Sequence, residues 1–390
     1  ANRVRMLATS QNLAYSSAQL SQNPELSALL AIESYKIAKT NGGNTNSASL
    51  YKAALKSLQE SKSTYSPKVL SLENEALALN ASDNGLSLMD KKGNLNRYDA
   101  ANFTLVNTEN SGLATEAINT AYINPINEQA FIGSNSNELN LIDRAKPISF
   151  KGHGGLVRAV AYRSTKPYLI SGGRDAQLIL WEQNGTSEKV QFDARVKAIS
   201  ALPTAPTLLV GCENGVVYRF KLDDKSKSVF AAKESARVES IAQTEDGRTV
   251  AIGYSDGITR VYTSGGSLLK EFTGMGSVVS LEMKQANDVL AIIYSGRLIR
   301  LYALSDLSKL PIEIKTERPI TRLALKGNSS ELFIYSSDRS IQRYPLKADW
   351  FINELQAEVS RELSPEEWKT FVGEDIPYSS RKAKAKASVL

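Results

Sequence analysis

A large apolar side chain recurs at nearly even intervals through most of this chain. Tyr98, Ile142, Trp181, Phe220, Tyr262, Tyr302 and Tyr344 each close a short alternating run, such as Gly-Val-Val-Tyr-Arg-Phe or Arg-Leu-Ile-Arg-Leu-Tyr. The steps between them are 44, 39, 39, 42, 40 and 42 residues. Counting back 24 residues from each gives Asn74, Ile118, Val157, Val196, Val238, Val278 and Ile320. Six of these seven are β-branched, as a buried strand favours. Polar turns such as Ser82-Asp83-Asn84-Gly85, Thr165-Lys166-Pro167 and Glu245-Asp246-Gly247 separate the runs. A unit of about 40–45 residues with four short strands cannot bury its own sheet and needs like neighbours on both sides. The period therefore predicts an all-β fold, a seven-bladed β-propeller over residues 63–347, with short α-helical flanks at both ends.

The third repeat carries the most distinctive letters. Gly152-His153 opens it, a second run ends at Ser171, Asp175 sits in a tight turn and Trp181 ends the third run. This resembles one repeat of the WD-repeat family, with Trp181-Glu182 where that family closes on Trp-Asp. The resemblance implies that His153, Asp175 and Trp181 form a buried hydrogen-bonded brace between a loop and a turn. Asp256 and Asp338 keep the turn carboxylate, Asn214 replaces it, and repeats one, two and six lack it. Radial packing is expected to hold those blades without the brace.

Residues 1–62 read as an α-helical N-terminal segment. Val4, Leu7, Ala14 and Ala18 fall at helical spacing, Asn23-Pro24-Glu25 is a helix start, and Leu50, Ala54 and Leu58 share a third helix face. Residues 61–67 form a short linker. Residues 348–378 read as C-terminal helices, with Trp350, Phe351, Leu355 and Val359 on one side and a Ser364-Pro365-Glu366-Glu367 capping box ahead of Trp368. These helices are expected to dock on the propeller or to link it to a preceding domain. Residues 379–390 contain Arg381, Lys382, Lys384 and Lys386 and read as a basic disordered tail. The seventh repeat runs out soon after Tyr344, before an outer strand, so residues 68–72 are expected to supply one and close the ring. The order of helices with Pro-Glu-Leu and Ala-Ile-Glu-Ser-Tyr, propeller and Ser-Pro-Glu-Glu-Trp resembles the C-terminal half of large bacterial multidomain proteins. In those, a WD-repeat propeller follows a nucleotide-binding signalling module or a caspase-like protease, sometimes after a membrane helix. The resemblance implies a scaffold or sensor region, cytoplasmic or membrane-associated through a segment outside this chain.

One His and one Cys in 390 residues leave little for metal or acid–base chemistry. No intrachain disulfide can form. Cys212 follows Leu-Leu-Val-Gly and reads as a small core residue. The sequence has no Gly-Lys-Ser/Thr phosphate loop, no run of about eighteen apolar residues and no secretory signal. It opens on Ala, which points to a processed chain or a piece of a longer one. No catalytic residue, metal site or cofactor is assigned. A net charge of +6, from 47 basic and 41 acidic residues, is mild for this size, and no aromatics interleave with the basic residues, so nucleic acid is not an expected partner.

A propeller presents one face where each first strand enters. Arg158, Arg195, Lys197 and Arg237 flank three of the first-strand positions, and Arg174 precedes the turn Asp. They gather in one sector of blades three to five. The planar fork of Arg matches a carboxylate. The expectation is a non-catalytic protein-interaction scaffold or sensor that binds an acidic segment of a protein partner there. The plainer reading is a solvated basic rim. The alternative function is a propeller hydrolase or lyase with a central-channel site, which would show convergent carboxylates of raised pKa.

Overall fold

In the computed structural model the described residues are 2–61, 69–82, 85–112, 118–124, 128–134, 137–142, 148–182, 184–326 and 331–378. Most of the 61–67 linker, the turn residues Asp83 and Asn84, and the basic tail 379–390 lie outside them. The described residues fall into two compact units. One holds residues 69–309 and 314–344, and the other holds residues 2–61, 310–313 and 345–378.

The first unit is a seven-bladed β-propeller. Its strands form four-stranded sheets, one per sequence repeat. The innermost strands are β2 (Ala76–Ser82), β6 (Ile118–Ile123), β10 (Val157–Tyr162), β14 (Val196–Ala201), β18 (Val238–Gln243), β22 (Val278–Lys284) and β26 (Ile320–Leu325). Six of the seven first-strand positions read from the sequence begin a strand. The first does not: β2 starts at Ala76, two residues after Asn74. The final sheet takes its outer strand from the opposite end of the strand-forming sequence. β1 (Val69–Ser71) pairs antiparallel with β28 (Ser340–Pro345), Val69 opposite Gln342 and Leu70 opposite Ile341. A strand within the 68–72 stretch therefore closes the ring, and only Lys68 of that stretch is not described.

Adjacent blades meet through a repeated small–large contact. Gly172, Gly211 and Gly253 are the penultimate residues of their second strands, and a Cβ at any of them would lie inside 3 Å of the first residue of the next blade, Val196, Val238 or Val278. Gly133 meets Val157 in the same way, at 3.2 Å. Where blade seven meets blade one the sizes are reversed. Tyr335 stands at the glycine position, its hydroxyl accepts the N–H of Ala76 at 2.9 Å, and the two share one apolar cluster. That explains why Ala76 alone among the first residues is not β-branched.

The second unit is helical: α1 (Asn2–Gln19), α2 (Pro24–Thr40), α3 (Ala48–Ser61), α4 (Ala348–Glu358) and α5 (Pro365–Phe371). Both predicted caps form. Asn23 accepts the N–H of Leu26, and Ser364 and Glu367 exchange side-chain and backbone bonds. Leu13, Leu26, Leu29, Leu30 and Ile37 share one apolar cluster with Leu363, Trp368 and Val372, so the helices from the two ends of the sequence have a common core. The buried face of α1 differs from the one read above. Ala14 is buried as expected, but Val4 is 72% exposed, Leu7 and Ala18 are half-buried, and Ser10, Leu13 and Ser17 complete the buried face. The reason is polar: Ser10 and Ser34 exchange hydroxyl-to-carbonyl bonds at 2.8 and 2.7 Å, Ser17 and Ser27 do so at 2.8 and 2.9 Å, and Ser57 bonds both Ser17 and Ser27.

Gly172→Ala is expected to destabilise the protein by about 1–3 kcal/mol through overpacking. Val196→Ala removes the colliding methyls, so the double variant should lose less stability than the sum of the two singles. Urea unfolding of the four proteins measures the coupling, and strict additivity would contradict the small–large contact.

Candidate functional site

Blade three contains a continuous hydrogen-bond chain. The Nδ1 of His153 faces the Asp175 carboxylate, at 2.9 Å from Oδ2, and its Nε2 lies 2.7 Å from the Ser171 hydroxyl. Trp181 donates its indole N–H to the same hydroxyl at 2.8 Å. A carboxylate can only accept, so Nδ1 carries the proton and Nε2 accepts from Ser171. Asp175 also accepts the N–H of Gly154 (2.8 Å) and of Gln177 (3.2 Å), tying the 152–156 loop to the turn between β11 (Leu169–Gly173) and β12 (Gln177–Trp181). Ser171 is the hub, and the sequence reading assigned it no part. Its signal lay in the repeats themselves. The same slot holds Leu88, Ile132, Val210, Ile252, Ile292 and Ile334 in the other blades, each at most 1% exposed.

The turn carboxylate has a narrower task that recurs more widely. Asp256, Asp338 and Asn214 each accept the N–H two residues ahead, at 3.1, 3.1 and 3.3 Å. Blade one, read as lacking this group, has it displaced by two residues. The buried Asp90 accepts the N–H of Lys92 and of Asn94, both at 2.9 Å. The side chain matters by its reach to the strand's first amides, so it can sit at the end of the preceding strand.

Every innermost strand begins with a β-bulge after its first residue. The extra residues are Leu77, Asn119, Arg158, Lys197, Glu239, Val279 and Thr321. A bulge re-aims its side chain out of the alternation, so these seven form a ring at one end of the propeller. Arg158 and Lys197 belong to it, Arg195 and Arg237 precede β14 and β18, and Arg174 stands in the β11–β12 turn. The five cations are not equally available. Glu239 pairs with Lys197 (3.2 Å) and Arg237 (3.2 Å), and Glu213 pairs with Arg195 (3.6 Å). Arg158 and Arg174 have no carboxylate partner among the described residues, and Arg174 is exposed.

One carboxyl of raised pKa lies on an innermost strand. Burial pushes Glu282 of β22 up to about 7, with Glu245 adding to it and Lys284 opposing. Its Oε2 accepts the N–H of Leu325 on β26 at 3.1 Å, so it ties two blades. No group of three or more His, Cys, Asp and Glu side chains could hold a metal ion among the described residues. The buried thiol of Cys212 is pushed up to about 12, mainly by desolvation, which disfavours the reactive thiolate.

Comparison with known proteins bears on this geometry. The family model described as "WD domain, G-beta repeat" matches residues 146–182, the braced blade. Repeat and blade geometry together fit a WD-repeat β-propeller. The chain is 28% identical over 133 residues to "Small ribosomal subunit protein RACK1" of Candida albicans, covering 32% of this chain and 42% of that protein. The Schizosaccharomyces pombe protein of the same name is 30% identical over 125 residues, 29% of this chain and 40% of it. "APC/C activator protein CDC20" of Saccharomyces cerevisiae is 26% identical over 198 residues, 49% of this chain and 30% of that protein. The matches thus span less than half the length of each relative.

His153 gives the brace a pH dependence of definite sign. Desolvation lowers its pKa below the ordinary value of about 6.5, and the Asp175 bond offsets this only in part. The unfolded chain therefore takes up the proton first, and the brace's contribution is complete above pH 6.5 and fades as pH falls below it. Glu282 titrates in the same window with the opposite sign, because its folded pKa is raised. The difference between wild type and His153→Asn isolates the histidine. That difference is expected to be about 1–3 kcal/mol at pH 7.5, the cost of an orphaned buried network, and to shrink at pH 5.5. Urea midpoints at both pH values test it, and a gap that stays constant or widens would contradict the assignment.

Proposed function

We propose that this chain is a non-catalytic protein-recognition module whose propeller binds an acidic segment of a protein partner across blades three to five. The observation that carries the reading is the imbalance of that sector. Its carboxylates Glu213 and Glu239 are already engaged, while Arg158 and Arg174 hold guanidinium groups without a carboxylate partner among the described residues. A partner's Asp or Glu would complete them with paired, charge-assisted bonds. The names of the relatives are consistent with such a role, since one is a small ribosomal subunit protein and the other an activator protein of APC/C. The flanking helices and their resemblance support a setting within a larger multidomain signalling or assembly protein.

The mechanism is rigid display. Blade-to-blade packing fixes the loops before binding, so little ordering entropy is lost on association. The informative variant is Arg158→Glu/Arg174→Glu. Reversing Arg195 or Arg237 also releases Glu213 or Glu239 and would confound the result. Pull-downs from the native cell extract should show a partner retained by wild type and by a Lys221→Glu control. Affinity for it should fall about tenfold or more in the double variant. Equal recovery from all three proteins would reject this sector as the binding site.

A further inference from the structure

On the same end of the propeller, Met275 is 85% exposed. It stands in the loop that joins β21 (Leu268–Thr273), the outer strand of blade five, to β22. The residue of that loop that stands where Arg195 and Arg237 stand in the two preceding blades is Ser277, one before β22, and Met275 lies two residues upstream of it. The loop is pinned on both sides of the methionine. Gly274 donates its N–H to Gly257 at 3.0 Å, and Ser295 donates to Ser277 at 2.7 Å. The Tyr294 ring covers Gly274 so closely that no side chain fits there, and Gly276 has a left-handed φ of 86°. The thioether is therefore held in water by fixed backbone.

Met275 is also tied to the basic sector through one turn. Residues 255–257 join β19 (Thr249–Tyr254) to β20 (Ile258–Thr263). Ser255 exchanges two bonds with the backbone of Arg237, donating to its carbonyl and accepting its N–H, both at 2.9 Å. Gly257 of that turn is the residue that accepts from Gly274. The start of blade five and its exit loop thus share one edge. Of the acids nearby, Asp256 is engaged with Lys233 at 2.5 Å and Glu239 with two cations, while Glu234, in the loop before Arg237, is exposed. A negatively charged chain running from Arg158 towards blade six meets charges that are mostly paired, Glu234 apart, and then an apolar side chain.

Resting on the acidic-partner reading above, we propose that the partner segment is bipartite. Its acidic residues pair with Arg158 and Arg174, and an apolar side chain of the same segment seats on Met275. Methionine suits such a seat because its flexible, polarisable side chain moulds to aliphatic and aromatic shapes alike. Burying one apolar side chain against it would add enough affinity to be read as about a tenfold change.

The test uses the full chain and two fluorescent peptides of alternating Glu and Ser, one with a central Leu and the other with Ser in its place. Anisotropy titration should show the Leu peptide binding wild type about tenfold more tightly. Met275→Ser should erase that preference and leave the Ser peptide unchanged, while Arg158→Glu/Arg174→Glu should weaken both. If the two peptides bind wild type alike, or Met275→Ser keeps the preference, while the arginine variant still weakens both, the Met275 proposal falls and the acidic-partner reading stands. If neither peptide binds, or the arginine variant changes nothing, the acidic-partner reading fails and the bipartite proposal with it. If Met275→Ser alters the mass measured by light scattering instead of the peptide preference, Met275 belongs to self-association and the proposal is also overturned.

Discussion

The propeller depends on one contact made around much of the ring: the first residue of a blade resting on the second strand of the blade before it. Val196 on Gly172, Val238 on Gly211 and Val278 on Gly253 each place branched methyls where a single Cβ would intrude. The contact fixes both the distance between sheets and their rotation, because a stiff β-branched side chain fills a slot with no spare volume. Inversion of the sizes at Tyr335 and Ala76, and Met89 and Ile293 at the same position in blades one and six, show that the slot does not require glycine. The ring is then completed by three residues from the other end of the strand-forming sequence, Val69 to Ser71, which spares β28 of blade seven an unpaired outer edge.

The hydrogen-bonded brace is a local alternative to packing within a blade. Its bonds are worth about 1 kcal/mol each net of solvation, and a fully buried Val or Ile contributes roughly 1.5–3 kcal/mol. A polar network of a few bonds and one well-packed aliphatic are therefore close in value. That near equality is why Ser171 can be Leu88 or Val210 elsewhere without loss of the fold. It also explains why the letters of the repeat decay so much faster than its period.

Much of the fold was legible because the period constrains every blade at once. Six of seven strand starts, the closing strand and both helix caps followed from spacing and local chemistry. What was hidden has identifiable causes. Ala76 was displaced because blade one places its strands two residues out of the average spacing. Asp90 escaped notice because an Asx side chain can reach the same amides from the end of the preceding strand. Val4 was misplaced because apolar periodicity says nothing of serines that bury themselves by bonding to one another. For the candidate face, the sequence supplied the cations. The pairing of Lys197 and Arg237 by Glu239 is a tertiary fact, and it redirects attention to Arg158 and Arg174.

The serine seam of the helical unit has a consequence for alignment. Ser10 and Ser17 on α1 and Ser27 and Ser34 on α2 are each seven residues apart, and the bonded pairs cross in antiparallel order. Purely oily surfaces tolerate sliding, since one methyl substitutes for another with modest loss. Hydroxyls that clasp backbone carbonyls do not, because a shift of one turn would strand every donor in a dry interior. The seam acts like a vernier scale, with one setting at which all its marks coincide, and it fixes how far α1 can travel along its neighbour.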